Sequence, residues 1–419
     1  MELADAMRIQ LERQVSHWDS ASLALTRPED FASPAAWQAL ERYLDVAIRT
    51  SLDSSTKRLR TEVAGLRTQL GNARTVEELR VVERRLQGVR RLYQKVETVV
   101  GFFTEAVNTR TSSRLAAVLR ALDYIAVRSM DTVLRPLGVQ VPPVLTYVDK
   151  GLGASILRAG VRLWDGGLSP AAAIKVTRHN MFRPTSVTHE TGHQVAHLIG
   201  WNAELAPVIL RALRAEPDLA ELWASWVSES TADAYAFAHC GYAAVAALHD
   251  VVANDYGSVL RIPPGDPHPV AYLRVLLGTQ MCRRFGDGPW DDLAAAWILV
   301  HPLANAPAGT RDILQRSRRY LPLLARILLD RPMQCFGGRP LTALVDPKRV
   351  TPAALDQLAR EAGPSLYTSA HWAAREPMRV VALTGLRIAV DPAHTTAHVA
   401  DFARFTTTVS TLSTASAAA

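Results

Sequence analysis

Two polar pairs, each spaced four residues apart, fall inside otherwise apolar helical stretches of this chain. The first is His189 and His193 in PTSVTHETGHQVAHLIGWN; the second is Glu229 and Asp233 in AELWASWVSESTADAYAF. Residues four apart on a helix are offset by about 40° and rise about 6 Å, so each pair shares one face. Trp223, Trp226, Val227, Ala234 and Phe237 mark the second stretch for burial. Acids beside such a surface need a partner there. Glu229 follows His193 by 36 residues (229 − 193), enough for a connection and an antiparallel return. Ser186 is expected to cap the first helix and Gly200 to end it.

The spacing also dictates chemistry. His189-Glu190-Thr191-Gly192-His193 is an HExxH segment, whose two imidazoles reach one ion from one face. Glu190 lies one position along, where a carboxylate addresses a water on the metal without binding the metal itself. A catalytic zinc takes a third protein ligand and keeps a position open. Glu229 is the candidate, and Asp233, one turn on, is placed to accept the second ring nitrogen of a ligating histidine. Glu204, Glu216 and Glu221 are rival third ligands, but they lack a paired aspartate. His197 continues the row but has drifted about 80° from His189, which suits a rim or interior role. Tyr235 and Tyr272 are candidate hydrogen-bond donors that suit a core better. His239 beside Cys240 suits a buried thiol environment. His394 and His398, four apart, are two ligands only, too few for a structural zinc.

HExxH followed by a helix bearing Glu-x-x-x-Asp resembles the gluzincin metallopeptidases. The strand-like Ile174–Arg178 just upstream fits the edge strand that zincins set beside the cleft. Asp266-Pro-His-Pro269 with Arg274 is similar to the His-Pro…Arg element of the CAAX-protease and HtpX-like branch. The resemblance covers roughly Val144 to Leu277. It implies a zincin-like core, peptide-bond hydrolysis, Zn2+ as cofactor and a protein or peptide substrate. It implies His189, His193 and Glu229 as zinc ligands, Glu190 as general base, Asp233 behind the ligands and His268 as oxyanion stabiliser. The chain departs from that branch in having no apolar run long enough to span a membrane. The metzincin extension is absent, since Ala196 and Ile199 occupy the places of its glycine and third histidine.

Around this core the pattern is largely helical. Leu59, Val63, Leu66 and Leu70 alternate at spacings of four and three, Gly71-Asn72 interrupts them, and Thr75-Val-Glu-Glu78 forms a capping box. Val76, Leu79, Leu86, Val89, Tyr93, Val96, Val100 and Phe103 then continue a helical face, so two antiparallel helices are expected. From Thr50 to Val100 there are 11 basic and 6 acidic residues, a face suited to solvent or to a protein partner. A third amphipathic helix runs from about Ser113 to Leu134, and Pro136 and Pro142-Pro143 mark a boundary. Val144–Asp149, Ser155–Trp164 and Ala173–Arg178 are expected as strands of a small sheet. Helices follow from Thr185 to Gly200, onward to Val252, then Val270–Arg283 and Trp290–Leu329. Met378–Ile388 is expected as a strand, and the tail TTTVSTLSTASAAA as disordered.

The expected fold class is α+β, mainly helical. It divides into an N-terminal helical module (1–140), a zincin-like core (141–330) and a helical C-terminal extension (331–419). The 47 Lys+Arg and 40 Asp+Glu give a net charge of +7. So diffuse an excess argues against specific nucleic-acid binding. Neither a P-loop, a dinucleotide fingerprint nor GxSxG occurs. Three cysteines without a CxxC suit a reducing compartment. With no apolar stretch near the start, a cytoplasmic location is expected, delivery by another assembly aside. The competing expectation is a non-catalytic interaction or scaffold protein on a zincin fold, docking through its helices.

Overall fold

A computed structural model describes residues 3–161, 168–263 and 265–416. The N-terminal helices form where the apolar spacing demands them: α1 (Leu3–Ala24), α2 (Pro34–Leu44), α3 (Ile48–Asn72) and α4 (Val76–Thr109). Ser33 caps α2 by accepting from the Ala36 amide, with Pro34 in the first turn. Thr75 and Glu78 make both bonds of the capping box that starts α4. The turn Ala73–Thr75 folds α4 back onto α3. Leu59, Val63, Leu66 and Leu70 then bury against Leu79, Leu86, Val89, Val96 and Phe103, as the spacing predicts. Helices α1 and α2 add Leu11, Val15, Trp37 and Leu40 to the same core.

Next come α5 (Ser113–Leu134) and a three-stranded sheet of β1 (Val144–Asp149), β2 (Ser155–Leu157) and β3 (Ala172–Thr177), in the order β1-β3-β2. The expected strand Ser155–Trp164 is strand only over Ser155–Leu157; its part within residues 162–167 lies outside the described residues. The HExxH region continues as α6 (Thr185–Ile199), α7 (Trp201–Ala212), α8 (Pro217–Ser225), α9 (Val227–Cys240), α10 (Tyr242–Val252) and the short α11 (Tyr256–Val259). There follow α12 (Ala271–Arg283), α13 (Trp290–Val300), α14 (Ala308–Asp330), α15 (Leu341–Leu344), α16 (Pro352–Ala362), α17 (Ala370–Arg375), α18 (Pro377–Val390) and α19 (Thr395–Ser416). The class is mainly helical α+β. Among the described residues no helix is long and apolar enough to cross a membrane.

The chain divides into two compact units. One comprises residues 1–116, 143–147 and 157–173; the other comprises 117–142, 148–156 and 174–419. This differs from the expected division at 140 and 330. All but the first turn of α5 belongs with the HExxH region, because Ser129 hydrogen-bonds to residues of α6 and α9. Residues beyond 330 also join that unit. Helix α18 packs on α9 and α10, and α16, α17 and α19 pack on α18.

Two further expectations are corrected at the C-terminus. Met378–Ile388 is helix, not strand. A run of apolar residues does not set its own period, and here the close packing of Gly385 on Ala243 decides the outcome. A Cβ at Gly385 would lie 2.7 Å from that of Ala243, a contact only a helix–helix approach with no side chain permits. The tail expected as disordered, residues 406–419, is helical through Ser416, and its residues 417–419 lie outside the described residues. Phe402, Phe405 and Val409 recur at helical spacing and are fully buried. Phe405→Ala should therefore lower the stability of this unit by about 3–5 kcal/mol, while the exposed Thr407→Ala stays near wild type, as read by urea denaturation.

Candidate metal centre

Helix α6 begins after Pro184 and ends at Gly200, whose positive φ of 72° closes it with the Gly200 amide bonded to the Ala196 carbonyl. Ser186 does not cap it. It sits inside the first turn, and its buried hydroxyl has no partner. Helix α9 lies directly against α6. The contact is closest at Gly192, where a Cβ would come within 3.0 Å of Ala232 Cα and Tyr235 Cβ. A polar clasp holds this approach on the side of α5. Ser129 Oγ pairs with Thr191 Oγ1 at 3.1 Å and with the Tyr235 hydroxyl at 3.0 Å, and Tyr235 donates to the Ser129 carbonyl at 2.7 Å. Tyr235 is thereby committed to the scaffold, not to an oxyanion.

The approach brings the two polar pairs together. His189 Nε2 is 3.4 Å from Glu229 Oε2, and His193 Nε2 is 3.3 Å from Glu229 Oε1. Among the described residues, His189, His193 and Glu229 are the group of three whose donor atoms all lie within 4.8 Å of one another. The outer nitrogens are also held. His189 Nδ1 is 3.0 Å from Asp233 Oδ1, and His193 Nδ1 is 3.3 Å from Ser228 Oγ. Such partners fix ring orientation and leave the inner nitrogens for an ion.

Arg274, buried on α12, closes the back of the site. It donates to both oxygens of Asp233, at 2.5 and 2.8 Å, and to Glu229 Oε2 at 3.0 Å. Burial resists ionisation of Asp233 and Glu229, but their hydrogen bonds and the guanidinium charge hold both carboxyls well below the usual range. Burial likewise favours neutral His189, yet Asp233 and Glu229 outweigh it and raise its pKa to about 10 in the metal-free protein. Glu190 behaves oppositely: burial pushes its carboxyl up. Among the described residues Arg274 hydrogen-bonds to Glu229 and Asp233 only, so those two carboxylates stay ionised at the site. A nitrogen–oxygen donor set with satisfied outer nitrogens fits a divalent transition metal such as zinc.

The other singled-out residues are placed as follows. His268 is half-exposed at the rim, with Nδ1 2.7 Å from Asp266 Oδ1 and Nε2 3.6 Å from Glu229 Oε1. Glu204 accepts from the backbone amides of Gln334 and Cys335, Glu216 pairs with Arg316, and Glu221 is exposed. None of these three joins the centre. His197 is exposed. Tyr272 is buried in the core. His239 is buried, which drives its pKa down to about 3, and burial lifts the Cys240 thiol to about 12. His394 and His398 both pair with Asp391. Strand β3, expected at a sheet edge, is the central strand, so the edges are β1 and β2.

Sequence reasoning missed Ser228 and the Ser129–Thr191–Tyr235 clasp. Ser228 carried one signal, a small polar residue beside Glu229 on an apolar helix. The clasp carried none, since its members come from three separate helices. Comparison with protein-family models, curated proteins and solved structures finds no match to this chain.

Two outcomes follow from the geometry. Gly192→Ala should destabilise this unit by about 1–3 kcal/mol and cut its retention of added zinc, measured by thermal unfolding and by metal analysis after dialysis. Ser228→Ala should keep the fold and weaken zinc binding about 10-fold, read by competition with a chromogenic chelator.

Proposed function

We propose that this chain is a zinc-dependent metallopeptidase that hydrolyses peptide bonds. The observation that carries the reading is the convergence of His189, His193 and Glu229, with Glu190 buried on the same helix turn as its two histidines. His189, His193 and Glu229 would hold the ion. Zinc, when bound, supplies Lewis acidity toward a water and a carbonyl.

The remaining work falls to this chain's own side chains. Glu190 takes a proton from the attacking water at its carboxylate. The water's oxygen bonds to the carbonyl carbon, the carbon–nitrogen bond breaks, and Glu190 returns the proton to the leaving amine. Burial raises the basicity of Glu190 toward the range a general base needs at neutral pH. Asp233 and Ser228 keep the imidazoles oriented. Arg274 keeps Glu229 and Asp233 ionised and fixes Glu229 Oε2, so that Oε1 faces His193 and His268. Asp266 orients His268, and an N–H at its Nε2 would meet the developing oxyanion from the rim.

Metal content and turnover test this together. Wild type should purify with about one zinc per chain, the number a single site takes, and Glu229→Ala should hold much less by inductively coupled plasma mass spectrometry. Glu190→Gln should retain the zinc and lose cleavage of a mixed peptide library by at least about 100-fold. No zinc in wild type after reconstitution would overturn the proposal. So would Glu190→Gln cleaving at the wild-type rate, an outcome that favours an interaction protein on this fold.

A further inference from the structure

The exposed face of α4 carries a second kind of site. Arg80, Arg84, Gln87, Arg91 and Lys95 are all exposed and follow one another at spacings of four, three, four and four. On an α-helix these positions stay within about 80° of the circumference and run in a line about 22 Å long. From residue 80 to 95 there are six basic residues and one acidic residue, Glu83.

Four nearby cations, three on α3 and one on α4 itself, are handled differently. Lys57 pairs with Asp53, Arg60 and Arg67 with Asp19, and Arg85 with Glu62. Arg80 has Glu77. Arg84, Arg91 and Lys95 have no acidic residue three or four positions away. Among the described residues no ion pair to any of the three is found. Arg80 and Arg84, and again Arg91 and Lys95, place like charges at i and i+4, which destabilises a helix by a few tenths of a kcal/mol per pair. The sequence sustains that repulsion along one line while Lys57, Arg60, Arg67 and Arg85 nearby are each matched to an acid.

We infer that this face adsorbs to an anionic lipid bilayer. A straight row of cations fits a planar array of negative headgroups. Helices α1, α2 and α3 all pack on α4, so it offers one face only and is too broad in cross-section to enter a nucleic-acid groove. The row carries no exposed aromatic ring on which unstacked bases could lie. The apolar residues of α4, Leu79, Val82, Leu86, Val89 and Val96, are buried. Attachment is therefore electrostatic, peripheral and salt-sensitive, without insertion.

The test is co-sedimentation of the full chain with phosphatidylcholine vesicles, with and without phosphatidylserine, at low and at physiological salt. Wild type should bind only the phosphatidylserine vesicles and release as salt rises. Arg84→Gln, Arg91→Gln and Lys95→Gln combined should reduce partitioning by about 100-fold, with an unchanged circular dichroism spectrum because no hydrogen bond or ion pair of the three is found among the described residues. A control with the same loss of charge, Arg27→Gln, Lys57→Gln and Arg67→Gln, should bind nearly as wild type. Wild type ignoring phosphatidylserine vesicles would overturn the inference. So would equal losses in the two triple variants, or binding to duplex DNA in place of vesicles.

Discussion

The close approach of α6 and α9 at Gly192 is the contact on which the candidate centre depends. Glycine inside a helix costs about 1 kcal/mol relative to alanine, and here that cost secures an approach no larger residue allows. With Ala232 opposite, the helices come near enough for both imidazoles of one to address a single carboxylate of the other. Adding a methyl group would separate them by tenths of an ångström, and ligand spacing tolerates little of that. The clasp of Ser129, Thr191 and Tyr235 belongs to the same design. It satisfies three buried polar groups and pins α5 to both helices, so the faces that carry His189, His193 and Glu229 are held from behind.

The second constraint is electrostatic. Six ionisable residues share a poorly hydrated volume, and their environments separate them by role. Glu229 and Asp233 are pulled toward the ionised form by Arg274 and His189, as suits a ligand and a residue that orients a ligand. Glu190, on the other helix, is pushed toward protonation by burial. Carboxyl groups driven in opposite directions within one site divide naturally into those that stay charged and one that exchanges a proton. Arg274 makes this division possible. Without it, the two buried acids would keep only the histidines as partners, and burial would drive them toward the neutral form.

The two helices of the centre, the end of the first at Gly200 and the grouping of His189, His193 and Glu229 were legible because spacing and composition are local, whereas the expected Ser186 cap was not found. His189, His193, Glu229 and Asp233 declare themselves by four-residue intervals, and Gly200 by the residue type its backbone demands. The N-terminal pairing was legible for the same reason, since the stripes of α3 and α4 face each other across a three-residue turn. What escaped was set by distant contacts. Met378–Ile388 carries β-branched residues that fit a strand until Ala243 meets Gly385. The C-terminal tail from Thr406 looked too poor in apolar residues to fold, yet it continues the helix that Phe402 and Phe405 anchor just before it, with Val409 buried on the same helix, which packs on α18. β3 became a central strand through the short β2, which pairs on its far side.

The C-terminal helices also bear on how the centre is supported. Helix α9 carries Glu229 and Asp233 on one side, so its other sides must be covered by something rigid. That cover comes from α10, which follows α9 directly, and from α12, α14 and α18 further down the chain. Arg274 reaches the carboxylates from α12, and α12 packs in turn on α13 and α14. A centre whose buried charges must hold their positions needs such backing, because a side chain free to move would let water screen the interactions that fix ionisation. The residues beyond 330 thus bear on the candidate centre through packing: α18 backs α9, and α9 presents Glu229.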